Sequence, residues 1–292
     1  MTEPAKKWTI KELLNWISTY LAQKEIDSPR LCAELLLANV LEMSRIQLYT
    51  NFDKTVSEPD REKLRSLVKH AADQEPVQYL VGRTEFYSLE IELTRDTLIP
   101  RPETELLVER AIEYLRTKNG PQLICDLCTG SGCIAVAIAK NFADCHIIAT
   151  DISDQALNVA AANIKKHHLE SRIDLINGNL FEPLIGQMNE NLFDLIVTNP
   201  PYVSESEYQN LPENIRKHEP THALLAGPEG LDIYKQIAVQ APNHLKPGAA
   251  IMMEIGYKQA PAVNELLEKA NLKNISVEKD HAGRDRLVKA FK

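Results

Sequence analysis

Ile124-Cys-Asp-Leu-Cys-Thr-Gly-Ser-Gly-Cys-Ile-Ala-Val136 is the stretch that decides the fold. Residues 123–127 read as a short buried strand, which breaks into a loop with two glycines and resumes at Cys133 as an apolar helix. Gly130 and Gly132 allow the backbone to pass close to a ligand, and the small Thr129 and Ser131 leave room for it. A second strand over 146–150 runs into Asp151, 21 residues after Gly130. An acid at that place suits the two hydroxyls of an adenosine ribose. A nicotinamide site would show G-x-G-x-x-G, but Cys128-Thr-Gly-Ser-Gly-Cys133 lacks the third glycine, and no Gly-Lys-Ser/Thr makes it a phosphate loop. The glycine pair alone is compatible with a tight turn that binds nothing; Asp151 adds the weight toward a ligand.

Outward from this unit, helices and strands alternate. A helix over 103–118 precedes the first strand, and helices over 133–141 and 154–168 separate it from strands at 146–150 and 173–176. A strand at 193–198, a helix at 231–244, a strand at 249–254, a helix at 258–270 and strands near 274–278 and 286–291 complete the series. This pattern predicts an α/β fold with a mostly parallel sheet and an antiparallel last strand. The first 75 residues read instead as helices. Thr9-Ile-Lys-Glu12 is a capping box, followed by Ile10, Leu13, Leu14, Ile17 and Leu21 at helical spacing, and Ser28-Pro29 offers another helix start. Further helices are expected at 44–49 and 58–72, and a hairpin over 84–93. The expected division is a helical domain at 1–75, a hairpin linker at 76–100 and the α/β domain at 101–292.

The 292 residues are 44% hydrophobic and 25% charged, as in ordinary globular proteins, with a net charge of −8. Residues 1–75 are nearly neutral (11 Lys+Arg against 12 Asp+Glu), so the acidic excess lies in the α/β part. Nucleic-acid backbones demand clustered cations, which weighs against DNA or RNA as partner. There is no signal-like apolar start and no apolar run of about 18 residues. Five cysteines, an odd count, fit reduced thiols, so we expect a cytoplasmic protein with no membrane partner. Cys125-Asp-Leu-Cys128 is formally a CxxC, but Cys125 falls inside a strand and Cys133 alone cannot complete a zinc set; these are expected to be inert thiols. The eight histidines show no metal-ligand spacing and read as surface residues.

The target chemistry is written at the end of the fourth strand, in Phe193-Asp-Leu-Ile-Val-Thr-Asn-Pro-Pro-Tyr202. Pro200 and Pro201 remove two N–H donors and fix φ, leaving carbonyl oxygens without ladder partners. An amide or exocyclic –NH2 presents two donors, which the Asn199 side-chain oxygen and the Pro200 carbonyl can hold, with Tyr202 packed on the planar group. Its lone pair is delocalised, so accepting both N–H bonds favours sp3 character at nitrogen. Catalysis is then positioning and electrostatics. A bland turn is the competing reading, since Asn-Pro often starts one.

The glycine loop with Asp126 before it and Asp151 after it resembles the Rossmann-like methyltransferase fold. The resemblance implies S-adenosylmethionine as cofactor, with S-adenosylhomocysteine as product. Cys128, Thr129, Gly130, Ser131 and Gly132 would lie along its methionine part, Asp151 on the ribose, Asn179 and Leu180 near the adenine, and Asn199 beside the transferred methyl. Many members carry Asp where this chain has Asn179, and glycine where it has Cys128. Asn-Pro-Pro-Tyr is shared by methyltransferases of DNA adenine N6, RNA guanine N2 and protein glutamine N5. Pro76-Val-Gln-Tyr-Leu-Val-Gly82, Leu98-Ile-Pro-Arg-Pro-Glu-Thr-Glu105, Glu219-Pro220, Gly230-Leu-Asp-Ile-Tyr234, Glu254-Ile-Gly256 with Gln259, and Asp280 to Arg286 are similar, in order, to the bacterial release-factor glutamine methyltransferase family. That resemblance spans nearly the whole chain. It implies methylation of the glutamine in the Gly-Gly-Gln motif of peptide chain release factors, with the helical domain helping to bind them. Arg101 is expected to order its loop, and Glu103 and Glu105 to open the next helix, where negative charge is favoured. The alternatives are a nucleic-acid amine methyltransferase, disfavoured by the acidic balance, and a binding module without activity, disfavoured by the intact Gly130, Gly132, Asp151 and Asn199–Tyr202.

Overall fold

The computed structural model describes residues 7–185 and 192–292, so the start of the amino-terminal stretch read above for targeting lies outside the described residues. The chain forms two compact units, one of residues up to Gly82 with Pro212–His218, the other of Arg83–Leu211 with Glu219–Lys292.

The first unit is helical: α1 (Ile10–Gln23), α2 (Pro29–Leu41), α3 (Arg45–Thr50), α4 (Glu58–Ala72) and α5 (Val77–Val81). The capping box opens α1 as expected, with Thr9 N–H donating to Glu12 Oε2 at 2.9 Å and Glu12 N–H to Thr9 Oγ1 at 3.3 Å. Ile10, Leu14, Ile17 and Leu21 are buried against Leu36, Leu37, Leu64 and Val68. One expected cap fails. Ser28 sits in the left-handed region (φ 49°), so its hydroxyl makes no capping bond, although Pro29 does open α2. A side-chain cap requires extended backbone at that residue. Helix α5 lies within the stretch expected as a connection; at five residues it is too short for periodicity to reveal.

The second unit begins with the antiparallel hairpin β1 (Arg83–Phe86) and β2 (Leu89–Glu92). Its turn residues Tyr87 and Ser88 both have positive φ, without the glycine or asparagine that such turns favour. Glu105 Oε1 accepts from Tyr87 N–H at 2.7 Å and braces the turn. Then follow α6 (Glu105–Leu115), β3 (Gln122–Leu127), α7 (Cys133–Asn141), β4 (Cys145–Asp151), α8 (Asp154–Lys166), β5 (Ile173–Asn177) and β6 (Phe193–Thr198). Short helices α9 (Glu205–Gln209) and α10 (Glu213–His218), the latter in the first unit, precede α11 (Asp232–His244), β7 (Leu245–Glu254), α12 (Ala260–Lys269), β8 (Lys273–Lys279) and β9 (Asp285–Phe291).

The seven-stranded sheet has the order β5-β4-β3-β6-β7-β9-β8. β9, the last strand, points opposite to the other six and is antiparallel to both β7 and β8, as expected. Cys125, Leu127, Ile196, Ile251 and Met253 share one face and pack with Tyr234, Ile237, Val263 and Leu267 of α11 and α12. Helices α6, α7 and α8 pack one on the next across the other face. Burial on both faces explains why β3, β4 and β6 read as nearly unbroken apolar runs. The order reverses at β3, which has β4 on one side and β6 on the other. In open α/β sheets the crevice beyond the strand ends at such a reversal is where ligands sit.

Candidate active site

Leu127 and Thr198, the last residues of β3 and β6, are register partners, and Thr198 Oγ1 donates to the Leu127 carbonyl at 2.8 Å. The glycine loop and the Asn-Pro-Pro-Tyr turn therefore leave the sheet side by side.

The loop is tied down from within. Thr129 N–H donates to the Thr150 carbonyl at 3.0 Å, and its hydroxyl donates to Asp126 Oδ2 at 2.6 Å. Asp126 is fully buried, and burial pushes its carboxyl up to about 7. Gly130 N–H donates to Asp151 Oδ2 at 2.8 Å, while Ser153 N–H donates to Oδ1 at 3.0 Å, so Asp151 holds the loop and opens α8 together. Cys128 has φ 57°, a left-handed conformation that suits glycine and costs other residues about 1–2 kcal/mol. Gly132 has φ 76°, and a Cβ there would stand 3.2 Å from Ala160 Cβ, so this glycine lets α7 approach α8. Beside Gly130 a Cβ would meet no atom within 4 Å.

These residues open onto a cavity of about 270 Å³. Of the residues expected from sequence, Cys128, Thr129, Gly130, Ser131, Asp151, Asn179, Leu180, Asn199 and Pro201 line it; Gly132, Pro200 and Tyr202 do not. Asn179 turns its amide to Glu182 Oε1 at 3.0 Å.

The turn after β6 is held by residues far away in sequence. Asn199 Nδ2 donates to Thr104 Oγ1 at 3.2 Å, and the Thr104 hydroxyl donates to Glu254 Oε2 at 2.6 Å. Tyr202 donates its phenol proton to Glu254 Oε1 at 3.4 Å, and Gln259 Nε2 donates to the Tyr202 carbonyl at 2.9 Å and the Gly230 carbonyl at 3.0 Å. Burial raises the Glu254 carboxyl to about 7, and raises the Tyr202 phenol as well. Arg101 donates to the buried Glu219 at 2.5 Å.

Comparison with known proteins fits this geometry. Residues 12–82 match the family described as PrmC N-terminal domain, and residues 103–225 the Methyltransferase small domain. The release factor glutamine methyltransferase of Geobacter sulfurreducens is 38% identical over 288 residues, covering 99% of this chain and 98% of that one. Its counterpart in Rhodopirellula baltica is 40% identical, covering 96% and 95%. The chain belongs to the release factor glutamine methyltransferase family. A T. thermophilus 16S rRNA methyltransferase, solved with AdoMet and guanosine, shares the fold at 18% identity and TM-score 0.52, over 72% of this chain and 49% of that one.

Within this family member, the sequence reading missed Thr104 and Glu254 as a pair. The one available signal was an acid closing an otherwise apolar strand, Ala249 to Glu254. The cysteines are all free, and burial raises the thiols of Cys32, Cys125, Cys128, Cys133 and Cys145. Three histidines depart from a purely surface role, among them His218, whose Nε2 is buried. His222 lines the cavity, and half-buried His244 stacks on Phe181 at 4.5 Å, where burial lowers its pKa. Among the described residues no metal-holding cluster occurs, and no helix is long and apolar enough to cross a membrane.

Proposed function

We propose that this enzyme transfers a methyl group to the side-chain amide nitrogen of the glutamine in the Gly-Gly-Gln motif of peptide chain release factors. The observation that carries the reading is the shared exit of the glycine loop and the Asn-Pro-Pro-Tyr turn from paired strand ends. The residues present fit S-adenosylmethionine: a carboxylate at Asp151, open space beside Gly130, and cavity walls at Asn179, Leu180 and Ile152. When bound, the cofactor supplies an electrophilic sulfonium methyl and is left as S-adenosylhomocysteine, while the amide gives up one proton.

Asp151 would accept from the ribose hydroxyls, and Asn179 and Leu180 would flank the adenine. Cys128 through Gly132 would lie along the cofactor's methionine part. The Asn199 side-chain oxygen and the Pro200 carbonyl accept the two N–H bonds of the glutamine amide. The Asn199 amide is held by Thr104 before substrate arrives, so its orientation costs little at the moment of reaction. Pro201 stiffens the turn, and Tyr202 packs beside the planar amide. Release factors as substrate follow from the relatives' names and the near-complete coverage of the chain. The test is mass spectrometry of a purified release factor after incubation with enzyme and S-adenosylmethionine. A gain of about 14 Da on the Gly-Gly-Gln peptide, one methyl replacing one hydrogen, is the expected result. No gain, with cofactor binding verified by calorimetry, would redirect the reading to nucleic-acid amines.

A further inference from the structure

The Asn199 amide is useful as a clamp only if its oxygen, and not its nitrogen, faces the incoming glutamine. An asparagine side chain is nearly symmetric in shape, so the hydrogen-bond partners decide which way it points. Thr104 has one hydroxyl proton. It is committed to Glu254 Oε2 at 2.6 Å, which leaves the Thr104 oxygen only acceptor capacity. The group 3.2 Å away on Asn199 must then be its –NH2 end. The same carboxyl receives the Tyr202 phenol proton on its other oxygen. Thr104 is 2% exposed and Glu254 1% exposed, so water does not compete for these bonds.

We infer that Thr104 and Glu254 are positioning residues for methyl transfer: the buried carboxyl fixes the Thr104 hydroxyl, which fixes the Asn199 amide with its carbonyl oxygen toward the substrate. This inference rests on the amide-clamp reading of Asn199. Thr104 closes the short turn before α6, Asn199 follows β6 and Glu254 ends β7; β6 and β7 are neighbours in the sheet, so the relay ties the turn before α6 to two strand ends that the register already sets side by side.

The test compares Thr104→Val, Thr104→Ala, Thr104→Ser, Glu254→Gln and Asn199→Ala in release-factor methylation. Calorimetric S-adenosylmethionine affinity and melting temperature are measured on each variant. Thr104→Val and Thr104→Ala are expected to lower kcat about 10- to 100-fold, the scale of a misplaced reacting group, with KM and cofactor Kd within about threefold. Thr104→Ala keeps the test decisive if a valine methyl against the carboxyl weakens folding. Thr104→Ser restores most of kcat because it keeps the hydroxyl. Glu254→Gln retains most activity because its amide oxygen still accepts from Thr104. Wild-type kcat in Thr104→Ala would overturn the inference, as would a Thr104→Ser variant as slow as Thr104→Ala. If Asn199→Ala turns over normally, the clamp reading falls first; if Asn199→Ala is inactive while Thr104→Ala is normal, only the relay falls.

Discussion

Asp151→Ala separates the two duties of one carboxylate. In the structure its oxygens accept from Gly130 N–H at 2.8 Å and Ser153 N–H at 3.0 Å. Removing them leaves two donors at a site where Asp151 is only 9% exposed. Each unsatisfied buried donor costs about 1–3 kcal/mol. Water reaches this rim, so the lower end applies and about 2 kcal/mol of stability is lost in all. Cofactor binding loses more. Two ribose hydroxyls donating to a carboxylate are worth about 1.5–3 kcal/mol each, so at least about 3 kcal/mol disappears, a fall of about 150-fold in affinity. Isothermal calorimetry with S-adenosylmethionine reads the second effect, and urea unfolding without cofactor reads the first. An unchanged dissociation constant alongside a measurable loss of stability would refute the ribose assignment and leave Asp151 a purely structural brace.

Asn199→Ala is expected to abolish turnover while cofactor affinity stays within about tenfold, or ~1.4 kcal/mol; near-normal methylation would sink the clamp. Gly230→Ala places a Cβ 2.3 Å from the Tyr202 carbonyl in a backbone with φ 72°. It should cost about 1–3 kcal/mol and slow turnover by displacing the turn, and unchanged unfolding and kcat would show that the loop yields freely. Glu254 and Asp126 both have carboxyls raised to about 7 by burial, from ordinary values of 4.5 and 3.8. A carboxyl raised in the folded state binds protons more tightly there than when unfolded. Its contribution is full below the unfolded value and is lost as pH rises through about 7. Glu254→Gln should therefore gain on the wild type as pH climbs from about 4.5 to 8, by on the order of 3 kcal/mol. Denaturant unfolding across that range checks it, with parallel curves as the contrary result.

The strand, glycine loop and helix at 123–141 were legible because every signal in them is local: an apolar run, two glycines, then small apolar residues. The acid at Asp151 was legible for the same reason, since the next strand of a βαβ unit usually returns beside the first, as β4 does beside β3. Other features escaped because their partners are remote. Thr104 meets Asn199 across 95 residues and Glu254 across 150, and Gln259 reaches Tyr202 across 57. No periodicity or spacing rule encodes such meetings; only the folded sheet does. Cys128 shows the intermediate case. Many members of the resembled family carry glycine there, and its φ of 57° shows the conformational demand that the letter alone does not state. Ser28 shows the converse, a good capping residue whose backbone conformation denies it the cap.

The pairing of Leu127 with Thr198 acts as a ruler. A strand advances about 3.3 Å per residue, so slipping β6 by one position would carry the Asn199 turn that far from the glycine loop and turn every β6 side chain to the opposite face. Methyl transfer tolerates misplacement of a fraction of that. The reacting distance is thus calibrated in the buried apolar residues of two strands, none of which touches a substrate.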